Sequence, residues 1–363
     1  MKVLIFGPFN SGHIQNWIDN SKNEIDYRIL TLHKGKSSEN VGLGRVYSIP
    51  RLTNTKLDFL YAPLYLLWFY YYLRPDLVHV HFFSSYGVIS SFLPRKAKKV
   101  LSVWGSDINN IYNKTGILNK LYSRAMSKFS IVNSPALHLT KKIKDNFKYP
   151  EEKIKTFQYG IDVGYFSEPK FDKKNSHITI TSVRNWDELY NVIPFLKSIL
   201  SSKLNYDGIR FKINILGRSN DDETKFELSN LVKACNNDNV EVNLIGFVDK
   251  SELKQTLLNS DFVLSIPIKD GAPLSLMEGM ICRCFPIVSK IDANEEILGD
   301  NAIFIDINEK ISFEKICKTC IEKINDKSFG SMIEDNFNLV KNEHDKKINT
   351  ELMIKIYKEL VFT

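Results

Sequence analysis

Apolar runs alternate with amphipathic stretches along most of this 363-residue chain. Short runs rich in Val, Ile, Leu and Phe, bounded by Gly, Pro or polar residues, are typical of strands buried on both faces of a parallel sheet. They predict strands at residues 3–6, 28–32, 77–81, 100–103, 130–132, 178–183, 211–216, 240–244, 262–268 and 286–289. Helical spacing separates them, for example at 59–73, 114–128 and 251–259. This alternation predicts an α/β fold with doubly wound parallel sheets.

The pattern stops and restarts near the middle of the chain. Residues 170–176 are polar and charged, whereas alternating strands and helices lie on both sides of them. Because the chain is long enough for two hydrophobic cores, we expect two domains joined by this linker. We place their boundary between residues 165 and 166, with the second domain extending to residue 345.

One strand–helix junction has the features of an anion site. The apolar run 262–268 is followed by Asp270 and Gly271, which favour a turn, and apolar residues at helical spacing begin at Leu274. A strand, a glycine loop and a helix N-terminus form such a site, because the first N–H groups of a helix lack partners and the dipole is positive there.

Two carboxylates bracket this junction, Asp270 on the loop and Glu278 about one turn into the helix. A carboxylate would repel phosphate, so each is better suited to accept hydrogen bonds from sugar hydroxyls. A diphosphate between hydroxylated rings is a nucleotide-sugar. The same local pattern also fits an ordinary strand–helix junction, with Asp270 in a turn and Glu278 solvated.

Charge is distributed unevenly along a chain of otherwise ordinary composition. Residues 1–160 contain 23 Lys and Arg against 10 Asp and Glu, while the remainder contains 26 against 32. The basic half therefore favours an anionic partner. We expect an anionic membrane surface and no nucleic acid, because nucleic-acid motifs are absent and aromatic residues do not interleave with the basic ones.

Residues 57–73 read as a Tyr- and Trp-rich apolar helix. This segment is too short for a transmembrane span, which needs about 20 apolar residues. It fits a helix buried against a sheet with one exposed aromatic face, or an element lying in a membrane interface. Because the first strand starts directly after Met1 and Lys2, we predict a cytoplasmic protein, peripheral on the inner face of the cell membrane.

The cysteines do not indicate disulfides or a metal. Their number, five, is odd, and Cys317 and Cys320 lie on one apolar stripe of a predicted helix, which favours a core position. Since no Asp-x-Asp follows an apolar strand, we predict no divalent metal at the diphosphate. We also expect no cofactor, since a nucleotide-sugar would be a substrate.

The acidic pair resembles that of the retaining glycosyltransferases of family 4. In that family seven residues separate the two acids, and the first acid is usually Glu. Here the first acid is Asp270, and Asp270 and Glu278 match a branch that reads D-G-x-P-x-S-L-x-E. Residues 159–162 and 246–248 are also similar to family segments. The resemblance implies a GT-B fold, with two Rossmann-like domains facing a central cleft. It also implies that a final helix within 346–363 packs back on the first domain.

The resemblance assigns roles to the acidic pair and its surroundings. It implies that Asp270 contacts the transferred sugar or stabilises positive charge at the anomeric carbon, and that Glu278 binds the ribose. Arg184 matches a family arginine that binds the diphosphate. The donor-binding residues expected on this basis, some through backbone amides or close backbone approach, are Gly12, Arg184, Gly217, Gly271, Ala272, Leu274, Ser275 and Glu278.

A family lysine is missing five residues after Arg184, where this chain has Leu189. Two explanations remain open. Either another cation, such as Arg218 or Lys269, replaces the lysine, or Arg184 and the amides at 271–275 suffice, because a guanidinium can bind two phosphate oxygens at once.

His79 and His81 alternate on a predicted strand, so both side chains lie on one face of the sheet. By pattern alone they fit satisfied core groups as well as ligand contacts. The resemblance implies that His81 lies near the donor sugar. It also matches Trp104 to Asp107 with a family His-Gly-x-Asp segment, so we expect Asp107 to orient a sugar or acceptor hydroxyl.

These expectations describe a retaining, metal-independent glycosyltransferase. Its donor would be a nucleoside-diphosphate sugar, most favourably a UDP-sugar, and its acceptor a glycan or lipid-linked glycan in bacterial surface polysaccharide synthesis. The alternative from another class is a non-catalytic GT-B subunit that binds glycans or a partner, which the missing lysine and Trp104 motivate. A nucleotide-sugar epimerase ranks last, since we find no pair of bases for C2.

Overall fold

Residues 1–9, 11–21, 23–32, 45–53, 55, 57–111, 116–168, 177–203 and 208–362 are described by the computed structural model. They form two compact units, one comprising residues 1–160 and 346–363 and the other residues 161–345. The predicted linker 170–176 and the first residues of the helix predicted at 114–128 lie outside the described residues.

In its described part, the first unit contains a seven-stranded parallel sheet with the order β3-β2-β1-β4-β5-β6-β7. The strands are β1 Lys2–Phe6, β2 Asp26–Thr31, β3 Arg45–Ser48, β4 Leu77–His81, β5 Lys99–Ser102, β6 Ile131–Ser134 and β7 Ile154–Thr156. The helices that precede the second unit are α1 Gly12–Ser21, α2 Asp58–Leu73, α3 Val88–Ser90, α4 Ser106–Asn109, α5 Gly116–Met126 and α6 Leu137–Phe147.

In its described part, the second unit contains a six-stranded parallel sheet with the order β10-β9-β8-β11-β12-β13. The strands are β8 His177–Ser182, β9 Arg210–Leu216, β10 Val240–Gly246, β11 Phe262–Ser265, β12 Phe285–Ser289 and β13 Ile303–Ile305. The helices are α7 Val163–Phe166, α8 Val192–Leu200, α9 Asp222–Cys235, α10 Lys250–Leu258, α11 Leu274–Ile281, α12 Asp292–Leu298, α13 Phe313–Ile324 and α14 Phe329–Glu343.

The last helix, α15 Lys346–Phe362, belongs to the first unit. It contacts α1 and β4, and it buries Met353 and Tyr357 almost completely. Since Tyr357 reaches His79 on β4, the C-terminal residues complete the polar interior of a sheet that the first 160 residues build.

Each sheet has a point at which the strand order reverses, between β1 and β4 in the first unit and between β8 and β11 in the second. Loops that leave neighbouring strands in opposite directions at such a point open a crevice at the carboxyl ends of the strands. The loops that follow β1, β8 and β11, and the end of β4, carry most of the predicted site residues.

The second unit is closely packed where α11 crosses β11. A Cβ atom added at Gly279 would lie 2.7–2.8 Å from the side-chain atoms of Val263, which is too close for any side chain. Glycine therefore lets the helix approach the strand, and this close approach sets the position of the loop that connects them.

Most predicted elements occur within one or two residues of their predicted bounds. The strand predicted at 262–268 is shorter and ends at Ser265. Pro267 has no N–H to continue a ladder, and the chain beyond β11 bonds to another loop instead, with the Ile268 N–H donating to the Leu189 carbonyl at 2.8 Å.

Three strands, β3, β7 and β13, were not predicted. Each lies at an edge of its sheet, where strands are short and need not be apolar on both faces. Cys317 and Cys320 are buried in the core of the second unit, as predicted. Among the described residues, no helix combines the length and apolar character that a membrane span requires.

Candidate functional site

Arg184 and Asp270 meet at the carboxyl ends of neighbouring strands, since Arg184 follows β8 and Asp270 follows β11. The Arg184 Nε–H donates to Ser265 Oγ at 2.7 Å, and Nη2 donates to Asp270 Oδ2. The guanidinium also lies over the Tyr190 ring, 5.3 Å from its centroid. The side chains of the charged pair are only 11% and 17% exposed. The structure therefore brings together two residues predicted from distant parts of the sequence.

The second oxygen of Asp270 is occupied as well. Oδ1 accepts a hydrogen bond from the Gly271 N–H at 2.7 Å, so this predicted amide is not open to a phosphate. The N–H groups of Ala272, Leu274 and Ser275 have no hydrogen-bond partner among the described residues. The open amides of the predicted anion site thus lie one residue further along, at the N-terminus of α11.

Gly217 approaches the chain's own backbone. It directly follows β9 and has φ +104°, and an added Cβ would lie 2.3 Å from the carbonyl oxygen of Arg184. We predicted that a glycine here lets backbone approach a nucleotide. The approach that the structure shows is to Arg184, so Gly217 helps to place the arginine at the site.

Glu278 lies half-buried on the second turn of α11. Burial raises the pKa of its carboxyl group to about 7, and the positive charge of Lys250 partly opposes this rise. At neutral pH the group is therefore poised between its two forms. A ligand that donates hydroxyl hydrogen bonds would favour the carboxylate.

Leu189, which stands where the family has a lysine, has a structural role. Leu189 lies in a short 3₁₀ turn, and its carbonyl accepts from Ile268. Of the two candidate replacements, Lys269 is exposed, while the Arg218 guanidinium lies over the Phe247 ring, 4.6 Å from its centroid. Both follow strands of the same sheet.

The two histidines of β4 have different surroundings. His79 is fully bonded, with Nδ1 paired to Tyr357 Oη at 2.5 Å and Nε2 to Ser102 Oγ at 2.8 Å. The Ser102 hydroxyl in turn donates to Asn133 Oδ1. His81 is completely buried, and neither of its ring nitrogens has a partner in the described part of the chain. His79 is therefore a satisfied core group. His81 is a buried imidazole for which the described residues supply no hydrogen-bond partner.

Burial also decides the charge of both rings. It lowers the pKa of His79 to about 3 and that of His81 well below its usual value, with His79 and His13 adding repulsion at His81. The ring centroids of His79 and His81 are 4.2 Å apart. His81 is therefore neutral at physiological pH, and can donate one hydrogen bond and accept another.

The close backbone approach in the loop after β1 is made by Gly7. An added Cβ at Gly7 would lie 2.8 Å from the Cβ of His81, whereas nothing lies within 4 Å of such an atom at Gly12. Gly12 is exposed at the start of α1, and Asn10, in the same loop, lies outside the described residues. The predicted contact between Gly12 and the sugar donor stays a prediction.

Asp107 has a structural role that its sequence position did not reveal. It is completely buried, with Oδ2 accepting from the Phe83 N–H at 2.6 Å and Oδ1 from the Trp104 and Gly105 N–H groups at 2.9 and 3.0 Å. Burial raises the pKa of its carboxyl group and these hydrogen bonds oppose the rise. The side chain holds the loop after β5 in place, and contact with a sugar or acceptor hydroxyl stays a prediction.

Trp104 packs among other rings near the end of β4. It stacks on His13 with 4.6 Å between centroids and 25° between planes, and its centroid is 6.2 Å from that of His81. In this structure Trp104 therefore packs against rings of the protein itself.

Ser265 and Tyr190 were not predicted as site residues, although both contact Arg184. In the sequence, the signal that could have identified Ser265 is a serine inside an apolar strand. Within the described residues, no group of three or more His, Cys, Asp or Glu side chains is arranged to hold a metal ion.

Comparison with known protein families shows which family the chain belongs to. Residues 2–134 match the family described as glycosyl transferase 4-like, and residues 166–329 match the glycosyl transferases group 1. The chain is a GT-B glycosyltransferase of the family 4 and group 1 type. The predicted resemblance to a glycosyltransferase family is thereby confirmed, and so is the predicted activity class, a glycosyltransferase. No curated protein matches this glycosyltransferase in sequence.

Solved structures share its fold at low sequence identity. A glycosyltransferase from Rickettsia africae ESF-5 is 14% identical, with a TM-score of 0.80 and coverage of 99% of this chain and 98% of that one. Anabaena Alr3699/HepE in complex with UDP is 12% identical, with a TM-score of 0.75 over 99% and 100%. Sucrose-phosphate synthase from Thermosynechococcus elongatus is 9% identical, with a TM-score of 0.75 over 99% of each chain. The predicted fold class is confirmed.

Proposed function

We propose that this glycosyltransferase transfers a sugar from a nucleoside-diphosphate donor, most favourably a UDP-sugar, to a glycan or lipid-linked acceptor in bacterial surface polysaccharide synthesis. Retention of anomeric configuration and independence of metal belong to the same proposal. The observation that supports it best is the Arg184–Asp270 pair beside the unbonded amides of α11. Structures of similar fold support the donor class, since Anabaena Alr3699/HepE was solved with UDP and with UDP-glucose.

The pair suggests how the diphosphate is bound. A phosphate that reaches Arg184 competes with Asp270 for the guanidinium, whose fork suits two phosphate oxygens. Asp270 is then released from Nη2 and can face the sugar. When the bond to the anomeric carbon breaks, negative charge on the leaving diphosphate is stabilised by Arg184 and by the N–H groups of Leu274 and Ser275. This arrangement needs no metal ion to neutralise the leaving group.

The proposed contacts to the donor's hydroxyl groups involve His81 and Glu278. Neutral His81 could bond one hydroxyl through each ring nitrogen, which would relieve the cost of a buried unpaired imidazole. Glu278 would accept the ribose hydroxyls as a carboxylate. These contacts are directional and specific for hydroxyls, as recognition of a nucleotide-sugar requires.

The decisive test is donor turnover, because the acceptor is not needed for it. We expect the wild-type chain to hydrolyse at least one UDP-sugar above background, and Asp270→Asn to lower that rate by about 100-fold or more while keeping UDP binding. UDP binding should persist because the variant removes the carboxylate that competes for Arg184. Isothermal titration with UDP and a coupled UDP-release assay measure the two quantities.

Two outcomes would contradict the proposal. If no nucleotide-sugar is hydrolysed but glycans bind, the chain is the non-catalytic subunit considered above. If Asp270→Asn hydrolyses the donor at the wild-type rate, the residue has no part in the chemistry.

The raised pKa of Glu278 predicts that UDP affinity depends on pH. Because its folded-state pKa of about 7 lies above the usual value of 4.5, ionisation of this group lowers the stability of the folded state as the pH rises from 4.5 through 7. Ribose hydroxyls would repay that cost by binding the carboxylate. We therefore expect UDP affinity to rise roughly 10-fold between about pH 6 and about pH 8, with release of a proton on binding.

Glu278→Gln is the control for this prediction, because UDP itself titrates over the same range. Calorimetry in buffers of different ionisation enthalpy should show a smaller proton release and a flatter pH profile in the variant. Identical profiles for both proteins would show that Glu278 does not contact the nucleotide.

We further propose that the first unit binds an anionic membrane surface through one apolar face. Helix α2 buries Ala62, Leu66, Phe69 and Leu73 but exposes a second set of large apolar side chains. Helix α3 contacts both α2 and α5, so the three helices are neighbours. The exposed side chains, here called the apolar face, are Leu60, Leu64, Trp68, Tyr71 and Tyr72 on α2, Phe92 after α3, and Ile117, Leu118 and Leu121 on α5.

Basic residues accompany the apolar face. Arg95, Lys96, Lys120 and Arg124 are exposed on or next to the same elements. Apolar and aromatic side chains that enter the headgroup region, flanked by cations, are typical of a helix that lies on an anionic bilayer. A lipid-linked acceptor would be reached from this position.

Vesicle sedimentation tests the apolar face. We expect binding to vesicles of one part phosphatidylglycerol to two parts phosphatidylcholine that weakens with salt, and Leu64→Glu to weaken it about 10-fold or more, since a leucine contributes roughly 2 kcal/mol when buried. Phe226, 71% exposed on α9 of the other unit, offers a matched control as Phe226→Glu. Equal losses in both variants, or no binding by the wild type at low salt, would contradict the proposal.

A further inference from the structure

A pocket of about 480 Å³ lies in the second unit, on one face of the sheet. Residues at alternate positions of β8 and β9 face it, among them Thr179, Lys212 and Asn214, while Ile178, Ile180 and Ile213 face the hydrophobic core on the other side. Gln255 on helix α10 and Asn259 directly after it also line the pocket. This pocket takes no part in the nucleotide site, since it lies at the start and middle of β8, whereas Arg184 follows its end.

The pocket has the chemistry of a site for hydroxyl groups. Asn214, Gln255 and Asn259 each carry an amide, which combines donors with an acceptor and so matches neighbouring hydroxyls that also do both. The charge of Lys212 is offset by Glu241, 3.3 Å away. Ile245, 41% exposed, supplies an apolar contact for the C–H face of a ring. This combination favours a neutral, polyhydroxylated ligand over an anion or an apolar molecule.

A second observation points to a ligand independently. Thr179 is 2% exposed, and its hydroxyl has no hydrogen-bond partner in the part of the chain that the structure describes. Two residues along the same strand and on the same face, the Thr181 hydroxyl is bonded to Ser260 Oγ at 2.5 Å and to Asn214 Nδ2 at 3.2 Å. A buried hydroxyl without a partner destabilises a protein. Valine would fill the same space at Thr179 without that cost.

We propose that this pocket is a second carbohydrate site, which binds one or two neutral sugar units through hydrogen bonds from Thr179, Asn214, Gln255 and Asn259. Its volume lies within the range of pockets for small ligands. Such a site would hold a glycan at a distance from the point of transfer. That use rests on the function proposed above, whereas sugar binding itself does not.

The first experiment measures sugar binding by saturation-transfer NMR and calorimetry on the full chain. The probes are glucose, galactose, N-acetylglucosamine, maltose and lactose, each with and without saturating UDP. We expect saturable binding of at least one probe, insensitive to UDP and to Arg184→Ala, and weakened about 10-fold by Gln255→Ala. A stronger signal from disaccharides would identify a glycan chain as the ligand, while equal binding of both sizes would identify a single sugar unit.

Three results would overturn the proposal: no probe binds, Gln255→Ala and Thr179→Val bind as the wild type does, or UDP displaces the sugar. Failure of the proposed function gives a different result, since a chain that binds sugars here but does not bind UDP keeps this site and loses the donor site.

The second experiment compares two threonines of β8 by thermal unfolding without ligand. Because the Thr179 hydroxyl has no partner within the described part of the chain, Thr179→Val is expected to raise the Tm while weakening sugar binding. Thr181→Val, the matched control, is expected to lower the Tm because it removes a bonded hydroxyl. If Thr179→Val lowers the Tm as much as the control does, the hydroxyl is satisfied within the protein and the proposal fails.

Discussion

Replacing Arg184 with Ala is expected to lower the affinity of the chain for UDP by about 100-fold. The side chain is held by Ser265, Asp270 and the Tyr190 ring at the carboxyl end of β8, so its fork is oriented before a ligand arrives. Two hydrogen bonds to charged phosphate oxygens contribute about 3 kcal/mol or more together, which corresponds to a loss of that size. Calorimetry or UDP-induced thermal stabilisation measures the effect.

Arg184→Lys separates charge from geometry. Lysine keeps the positive charge but cannot form the planar fork, so we expect an intermediate affinity for UDP. Arg218→Ala and Lys269→Ala, measured in the same way, identify which cation, if either, replaces the missing family lysine. Unchanged stabilisation by UDP in Arg184→Ala would exclude this arginine from the phosphate site.

Replacing Gly217 with Ala is expected to impair both folding and nucleotide binding. The residue has φ +104°, which strains any L side chain, and the new Cβ would lie 2.3 Å from the Arg184 carbonyl oxygen. Backbone strain and a forced displacement together should lower the free energy of unfolding by on the order of 3 kcal/mol. Because the displaced residue is Arg184, UDP affinity should fall as well. Urea unfolding and calorimetry measure the two effects.

Gly208 provides the matched control, since it lies just before β9 as Gly217 lies just after it. Its φ is +81°, but nothing lies within 4 Å of an added Cβ. Gly208→Ala should therefore cost only the strain, about 1–2 kcal/mol, and leave UDP affinity unchanged. If both variants lose the same stability and neither loses affinity, the close approach to Arg184 has no functional consequence.

The Asp270 and Arg184 variants address different steps of the proposed reaction. Asp270→Asn should keep nucleotide binding and lose turnover, whereas Arg184→Ala should lose both. A chain that binds UDP but turns over no donor in any variant would fit the non-catalytic alternative. The apolar face of α2, α3 and α5 is tested separately, because lipid binding and donor turnover are expected to fail in different variants.

Several features of the site could be predicted from sequence because they depend on local patterns. The junction at β11 and α11 has a buried apolar run, turn residues and helical spacing within one short segment, which is enough to predict a strand, a loop and a helix N-terminus. The alternation of His79 and His81 likewise places both on one face of β4. Neither pattern could show that His79 is satisfied and His81 is not, because Tyr357 and Ser102, the partners of His79, are distant in sequence.

Close approaches were beyond sequence reasoning for the same reason. A glycine in the sequence indicates freedom, but what it approaches is decided by the packing of elements, as Gly217 against Arg184 and Gly279 against Val263 show. Asp107 was predicted to orient a sugar or acceptor hydroxyl, and its sequence position could not show that backbone N–H groups surround its carboxylate, one of them from Phe83. Which donors surround a carboxylate depends on how loops meet.

The sequence by itself determined the α/β class, the division into two units, the glycosyltransferase family and the loops that hold the candidate site, because hydrophobic periodicity and short motifs encode them locally. Only the tertiary structure decided that Arg184 pairs with Asp270 and that α2 exposes an apolar face. It alone also decided that His81 and Thr179 have no hydrogen-bond partner among the described residues. Those facts arise where strands distant in sequence become neighbours in a sheet, and hydrogen bonding, burial and close packing depend on that neighbourhood.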